Sequence, residues 1–298
     1  KIMAEITTAL IKQLRDKTNA GMMDCKAALQ KTDGDLEAAE TELRKQGIAD
    51  ADKKAGRSAT EGVVASRISD DGKSGVLVEV NCETDFVAKN ENFTSFVGEI
   101  LDHVSASSAA NMEELMAEDY AADADISNFE EFIKAKVGQL GENLGLTRFA
   151  RYSVDGNGGV ADYIHMAGKV GVMAAITAKS ADTLNSDAFK TFAKDLGMHI
   201  AAAQPICLNR DEVPAELVES EKEIFREQMK DKPENIIEKI IGGKLDKFYA
   251  TNCLLEQAFI KDGDKSINDL IADVNKETGD EIEIAGFDRY ALGESAAE

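Results

Sequence analysis

The apolar residues of this chain change their spacing as it proceeds, and that change constrains the fold more than any other feature. In the first fifty or so residues they recur at helical intervals. Ile6, Leu10 and Leu14 form one stripe, Gly21 interrupts it, and Met22 to Lys31 reads as a second short helix packed through Ala28 and Leu29. A third helix is predicted from Asp35, whose carboxylate can accept hydrogen bonds from the free N–H groups of the next turn. Leu36, Ala39, Glu40 and Leu43 follow at helical spacing, Arg44 and Lys45 suit the negative helix end, and Gly47 predicts a left-handed stop. Residues 48–59 carry no large apolar side chain after Ile48 and read as a linker or a weakly packed helix.

Strand signals then begin. Gly62 to Ile68 and Val76 to Val80 flank Ser69-Asp70-Asp71-Gly72-Lys73, which predicts a hairpin. After Asn81-Cys82-Glu83 the period returns to helical, with Phe86, Phe93, Val97, Ile100 and Val104 in sequence. Residues 113–131 are rich in acids and read as a solvated helical stretch, continued by Phe129 to Leu144. Strands are predicted at Thr147–Val154, Val160–His165 and Val170–Ile176, with Gly156-Asn157-Gly158-Gly159 as the turn between the first two. A helix from Asp187 to Ala203 ends before Pro205. Pro214 opens another, and the break at Asp231-Lys232-Pro233 predicts a helical hairpin with apolar stripes at Leu217, Val218, Ile224 and Phe225 and at Ile236, Ile237, Ile240, Ile241 and Leu245. Such a hairpin exposes a second stripe unless something covers it, and can therefore protrude and self-associate. Leu270 and Val274 mark a last helix and Glu281 to Ile284 a last strand. The expected class is α+β: a helical N-terminal module followed by antiparallel sheets with helices packed on them.

Charge narrows the function. The chain has 298 residues, 34 Lys and Arg against 56 Asp and Glu, and a formal net charge of -22. Broad nucleic-acid binding needs cations to neutralise phosphates, and anionic membranes repel such a surface, so neither RNA nor membrane is expected as a partner. A protein or a small molecule is. Cys25, Cys82, Cys207 and Cys253 form no C-x-x-C pair, which predicts four free thiols in a reducing compartment and no zinc site. No apolar run has the length of a membrane span or the character of a signal peptide. A cytoplasmic protein is expected. Lys1-Ile2 ahead of Met3 reads as a cloning remnant, with the natural start at Met3.

Motifs for catalysis and cofactors do not appear. Gly72-Lys73-Ser74 ends like a phosphate-binding loop, but Arg67 stands where its first glycine belongs, and a hairpin turn is the better reading. The glycines at 138–145 and 156–159 fit no dinucleotide fingerprint. His103, His165 and His199 are scattered, and His199 beside an apolar helix face reads as structural. No enzyme, cofactor or metal is predicted. One segment is unusual: at Asn81-Cys82-Glu83-Thr84-Asp85-Phe86-Val87-Ala88-Lys89-Asn90 a strand ends and a helix starts. Asp85 or Thr84 can cap that helix. Phe86, in phase with Phe93 and Val97, is placed in the core by periodicity; the alternative is that it projects outward from a rigid elbow as a binding anchor.

Thr84-Asp85-Phe86-Val87-Ala88-Lys89, preceded by Glu79-Val80-Asn81-Cys82, closely resembles a signature of the bacterial elongation factor Ts family. Leu14-Arg15-Asp16-Lys17-Thr18 and Gly21-Met22-Met23-Asp24-Cys25-Lys26 resemble its other signature. Lys53-Lys54-Ala55-Gly56-Arg57, Gly141-Glu142-Asn143, the Tyr163-Ile164-His165 to Val172 segment and Met198-His199-Ile200-Ala201-Ala202 resemble it in the same order. The resemblance implies a ubiquitin-associated-like domain at 3–52, a linker at 53–60, a first core subdomain at 61–145, and a second at 146–291 that carries a dimerisation hairpin at 214–248. Residues 292–298 would form a tail. Some family members continue into a C-terminal helical module, and its partner contact is not expected from this chain. The implied function is guanine-nucleotide exchange on elongation factor Tu. In the family mechanism an Asp-Phe pair enters the GTPase and dislodges the Mg²⁺ held with its nucleotide. Onto this sequence that carries Thr84, Asp85, Phe86 and Val87 as the Mg²⁺-dislodging contact. Arg15, Met22 and Met23 become a contact to the nucleotide domain, and His165 a core contact. The competing readings are a protein-binding adaptor that uses the N-terminal bundle alone, and an enzyme of unrecognised type.

Overall fold

The computed structural model describes residues 6–18, 20–228 and 233–294. The Lys1-Ile2-Met3 start, the Asp231-Lys232 break and the 295–298 end of the tail lie outside them. Three helices come first: α1 (Thr8–Thr18), α2 (Met22–Lys31) and α3 (Leu36–Lys54). They close on Leu14, Cys25, Leu29 and Ala39, all buried. Asp35 caps α3 by accepting a hydrogen bond from Ala38 N–H at 3.0 Å. Gly47 does not stop α3, which runs on to Lys54 and buries Ala51. Its glycine serves packing instead: α3 crosses α7 (Phe129–Leu140) there, and a Cβ on Gly47 would stand 3.1 Å from Gly138 Cα.

The core holds two three-stranded antiparallel sheets. In the first, β2 (Ser74–Cys82) lies between β1 (Glu61–Ile68) and β3 (Leu144–Ser153). In the second, β5 (Val170–Ala178) lies between β4 (Gly158–His165) and β8 (Ile282–Ala291). Central strands are covered on both faces, so β2 is buried from Gly75 to Cys82 rather than alternating. The sheets pack on each other through Val64, Leu77, Val160, Met173 and Tyr290. Gly75 and Gly171 permit that approach, since a Cβ on Gly171 would meet Val64 and Leu77.

Helices cover the outer faces. On the first sheet sit α5 (Glu91–Ala106), α6 (Met112–Ala117) and α7, through Phe93, Phe96, Ile100, Phe129 and Phe132. Each such side chain contributes about 2–3 kcal/mol of burial. On the second sheet sit α8 (Asp187–Ala203) and α11 (Ile267–Thr278). The acidic stretch is not one helix. After α6, which buries Leu115, the chain runs without helix to Asn128, and it buries Tyr120 and Ile126 as it wraps the core, with Tyr120 stacked on Phe132 at 4.2 Å. Nor does helix reach Leu144: Gly141 ends α7 in the left-handed conformation, and β3 begins at Leu144, so it spans the 145/146 division and pairs with β2. The glycine turn at 156–159 therefore links two sheets, not two paired strands.

The last insertions are α9 (Ala215–Gln228) and α10 (Glu234–Asn252). They pair antiparallel, since Leu217 and Val218 of α9 share a cluster with Phe248 and Tyr249 of α10. Ile224 and Ile236 remain exposed. A short ribbon, β6 (Ala258–Phe259) and β7 (Asp262–Ser266), precedes α11 and was not anticipated, being only two and five residues long.

Candidate functional site

The elbow between β2 and α5 is built by hydrogen bonds to residues distant in sequence. At the end of β2 the Cys82 thiol is buried and pushed up to about 11, first by that burial and then by the Glu142 charge. Thr84 caps α4 (Asp85–Ala88), its hydroxyl accepting from Val87 N–H at 3.3 Å. Glu142 holds the turn from outside: one carboxylate oxygen accepts from Glu83 N–H at 3.1 Å and Thr84 N–H at 3.0 Å, and the other from the Thr84 hydroxyl at 2.6 Å. Glu83 in turn accepts from Asn143 N–H at 2.7 Å and from the Arg57 guanidinium at 3.4 Å. Asn143 donates to the Arg57 carbonyl at 2.8 Å. Three separate sequence motifs, at 53–57, 82–90 and 141–143, thus lock one corner.

The corner presents one large apolar group. Phe86 is 83% exposed, while Val87 and Ala88 pack on the first core. The core position that periodicity assigned to Phe86 is therefore not the one it takes. Asp85 faces Lys89 at 2.7 Å, and that hydrogen bond, followed by the ammonium charge, holds the Asp85 carboxyl below the usual carboxylate range.

The β4–β5 turn lies beside the elbow. Lys169 pairs with Glu61 of β1 at 2.8 Å, and its charge also lowers Asp85. Gly168 packs against Val63 with φ +89°, where a Cβ would collide. Met166 and Ala167 hold φ of 49° and 53°, conformations that cost non-glycine residues of order 1 kcal/mol. The turn thereby presents Met166, 68% exposed, next to His165. His165 is exposed at the end of β4, its Nδ1 3.0 Å from the Tyr163 hydroxyl.

The other expected contacts stand on the N-terminal bundle, not on the elbow. Arg15 is exposed on α1, and Met22 and Met23 are exposed on the first turn of α2, 47% and 74%. The bundle closes without either methionine. The sequence motif contains Glu142 and Asn143 but does not reveal their role at the elbow, and it does not single out Met166. A Gly-Glu-Asn run just after a helix was the available sign of the first; nothing marked the second.

The site offers an aromatic, a methionine and the Asp85–Lys89 and Lys169–Glu61 ion pairs on a rigid frame. It holds no nucleophile beside a base, and among the described residues no His, Cys, Asp or Glu group is arranged to bind a metal. His199 is fully buried in α8, with Nε2 2.9 Å from Gln257 Oε1, as a structural histidine.

Comparison with known proteins identifies the family. A family model described as "Elongation factor TS" matches residues 83–294. Among curated proteins, Elongation factor Ts of Trichlorobacter lovleyi is 48% identical over 97% of this chain and 93% of its own length. Elongation factor Ts of a Nitratiruptor species is 47% identical over the same shares, and that of Clostridium botulinum 45%. Because both the family model and these relatives span most of the chain, the protein belongs to the elongation factor Ts family.

Proposed function

We propose that the protein is a guanine-nucleotide exchange factor of protein biosynthesis, binding elongation factor Tu in its GDP form and promoting GDP release and replacement by GTP. The observation that carries this reading is Phe86, a large aromatic held in solvent on a turn that Glu142 pins at three points. In the isolated chain such exposure leaves its burial free energy unspent and available to a partner. A rigid anchor also loses little rotamer entropy on insertion. Asp85 and Phe86 act as the wedge, framed by Thr84 and Val87, and displace the Mg²⁺ of the partner. Loss of that ion removes the charge that neutralises the GDP phosphates.

Linkage then does the rest. A factor that binds the empty GTPase more tightly than its GDP form must weaken GDP by the same ratio. It need not touch the nucleotide, and no bond in this chain is made or broken, so the protein acts as a binding factor and not as an enzyme. Arg15, Met22 and Met23 supply a second contact through a ubiquitin-associated-like bundle, and the thioethers adapt to an irregular surface. His165 supplies a core contact. The α9–α10 pair, with Ile224 and Ile236 exposed, is the self-association element. The working compartment is the cytoplasm, and no described helix is long and apolar enough to cross a membrane.

The test is release of a fluorescent GDP analogue from elongation factor Tu in the presence of excess unlabelled nucleotide. Substoichiometric protein accelerates release over many turnovers. A release rate equal to that of the GTPase alone overturns the proposal.

A further inference from the structure

Cys207 and Cys253 are 46 positions apart, and the fold brings their sulfurs to 3.6 Å. The approach is set by backbone. Leu254 N–H donates to the Cys207 carbonyl at 2.9 Å, and Ile206 N–H donates to the Asn252 carbonyl at 2.9 Å, so the two cysteines form an isolated parallel bridge. Paired strands lie about 4.8 Å apart, inside the roughly 4.4–6.8 Å that a disulfide spans between Cα atoms. Both thiols are free and buried, under the first turn of α9 and the last turn of α10.

The two sulfurs differ in access. Cys207 lines a cleft of about 550 Å³ bordered by Tyr152, Gln204, Ile206, Phe287 and Asp288. Cys253 does not line it and is fully enclosed. We propose that Cys207 and Cys253 are a peroxide-oxidised thiol pair, Cys207 taking the oxidant through the cleft and Cys253 resolving it into a disulfide that ties the base of the α9–α10 pair.

The chemistry closes with hydrogen peroxide alone. The Cys207 thiolate attacks one peroxide oxygen and the O–O bond breaks, leaving a sulfenic acid and a hydroxide that takes up the thiol proton as water. Cys253 sulfur then attacks Cys207 sulfur, the S–O bond breaks, and the hydroxyl departs with the Cys253 proton as a second water. Two thiols lose two electrons and one peroxide becomes two waters. Burial pushes both thiols up, Cys253 to about 12, whereas the contact with Cys253 works against the rise at Cys207. The first attack therefore belongs to Cys207, and the low thiolate content makes it slow, a response to sustained rather than brief oxidant.

The experiment treats the full chain with hydrogen peroxide and maps it without reduction. The expected product has lost two hydrogens and yields one linked peptide containing positions 207 and 253, which dithiothreitol separates. Amide exchange at 206–208 and 252–255 slows by at least tenfold on oxidation. With Cys253→Ala, dimedone traps a sulfenic acid at Cys207; with Cys207→Ala, position 253 takes no adduct. Oxidation confined to Cys25 or Cys82, a cross-link between chains, or an adduct at position 253 in Cys207→Ala would each overturn the assignment. The wild-type map decides even where a variant folds poorly.

Discussion

Replacing Glu142 by alanine removes the brace of the elbow while leaving Phe86 in place. The carboxylate accepts three hydrogen bonds there, two from backbone N–H groups and one from the Thr84 hydroxyl. Hydrogen bonds to a charged group are each worth about 1.5–3 kcal/mol when enclosed. Glu142, Glu83 and Thr84 are only half-buried, so water recovers part of each bond on loss. A net cost of about 2–4.5 kcal/mol for the three together follows, since about half the gross value is screened or replaced. At 1.4 kcal/mol per decade this multiplies opening of the elbow by about 30–1,500-fold. Two assays read it. Amide exchange at Glu83 and Thr84 should accelerate by that factor, with α5 protection unchanged. GDP release from elongation factor Tu should slow, and Phe86→Ala added to Glu142→Ala should slow it by less than Phe86→Ala does alone, because the two act on one element. Glu142→Gln keeps a neutral acceptor for the backbone pair and should lie between. Unchanged protection at Thr84 with unchanged exchange activity would refute the brace.

Other outcomes follow from the same geometry. Gly138→Ala puts a methyl into the Gly47 backbone and should cost about 1–3 kcal/mol, whereas Gly98→Ala in α5 meets nothing and should gain about 0.4–1 kcal/mol; paired thermal melts decide. Arg148 pairs at 2.7 Å with the fully buried Glu79 and stacks on Tyr290. Arg148→Met strands that carboxylate and should cost about 3–5 kcal/mol by chemical denaturation. His199 is held neutral, chiefly by desolvation, so its folded pKa lies below that of the unfolded chain. The unfolded state then binds more protons below about pH 6.5, and stability falls as pH drops from there towards the folded value. His199→Gln should flatten that part of the pH–stability curve even as it lowers the whole of it.

Periodicity marked most helices and strands because each has one face on a core. Where it misled, a local break reset the phase. Spacing alone puts Phe86 in line with Phe93 and Val97, but Lys89 closes α4 and Asn90 opens α5, its side chain accepting from Asn92 N–H at 2.8 Å. The turn between them rotates Phe86 away from the stripe. Gly47 carries the composition of a helix stop, yet a second glycine on α7 turns it into a crossing point, a fact held 91 residues away. The brace at Glu142 and the meeting of Cys207 with Cys253 are likewise contacts between distant segments, which spacing along one strand or helix does not encode. The negative charge excluded RNA as an expected partner but pointed to no particular protein; the short elbow at 82–90 did.

The proposed role of Phe86 is to serve a partner and not the core. Only about a sixth of the side chain is covered, so truncation should cost the isolated protein less than about 1 kcal/mol. A buried anchor in a complex is worth about 2 kcal/mol or more, some thirtyfold. The measurement is therefore Phe86→Ala in two assays at once: thermal unfolding of the free protein, and fluorescent-GDP release from elongation factor Tu at equal folded concentration. A melt near that of the wild type is expected, with release slowed at least tenfold. A melt lowered as for a core phenylalanine, with release per folded molecule unchanged, would contradict that role.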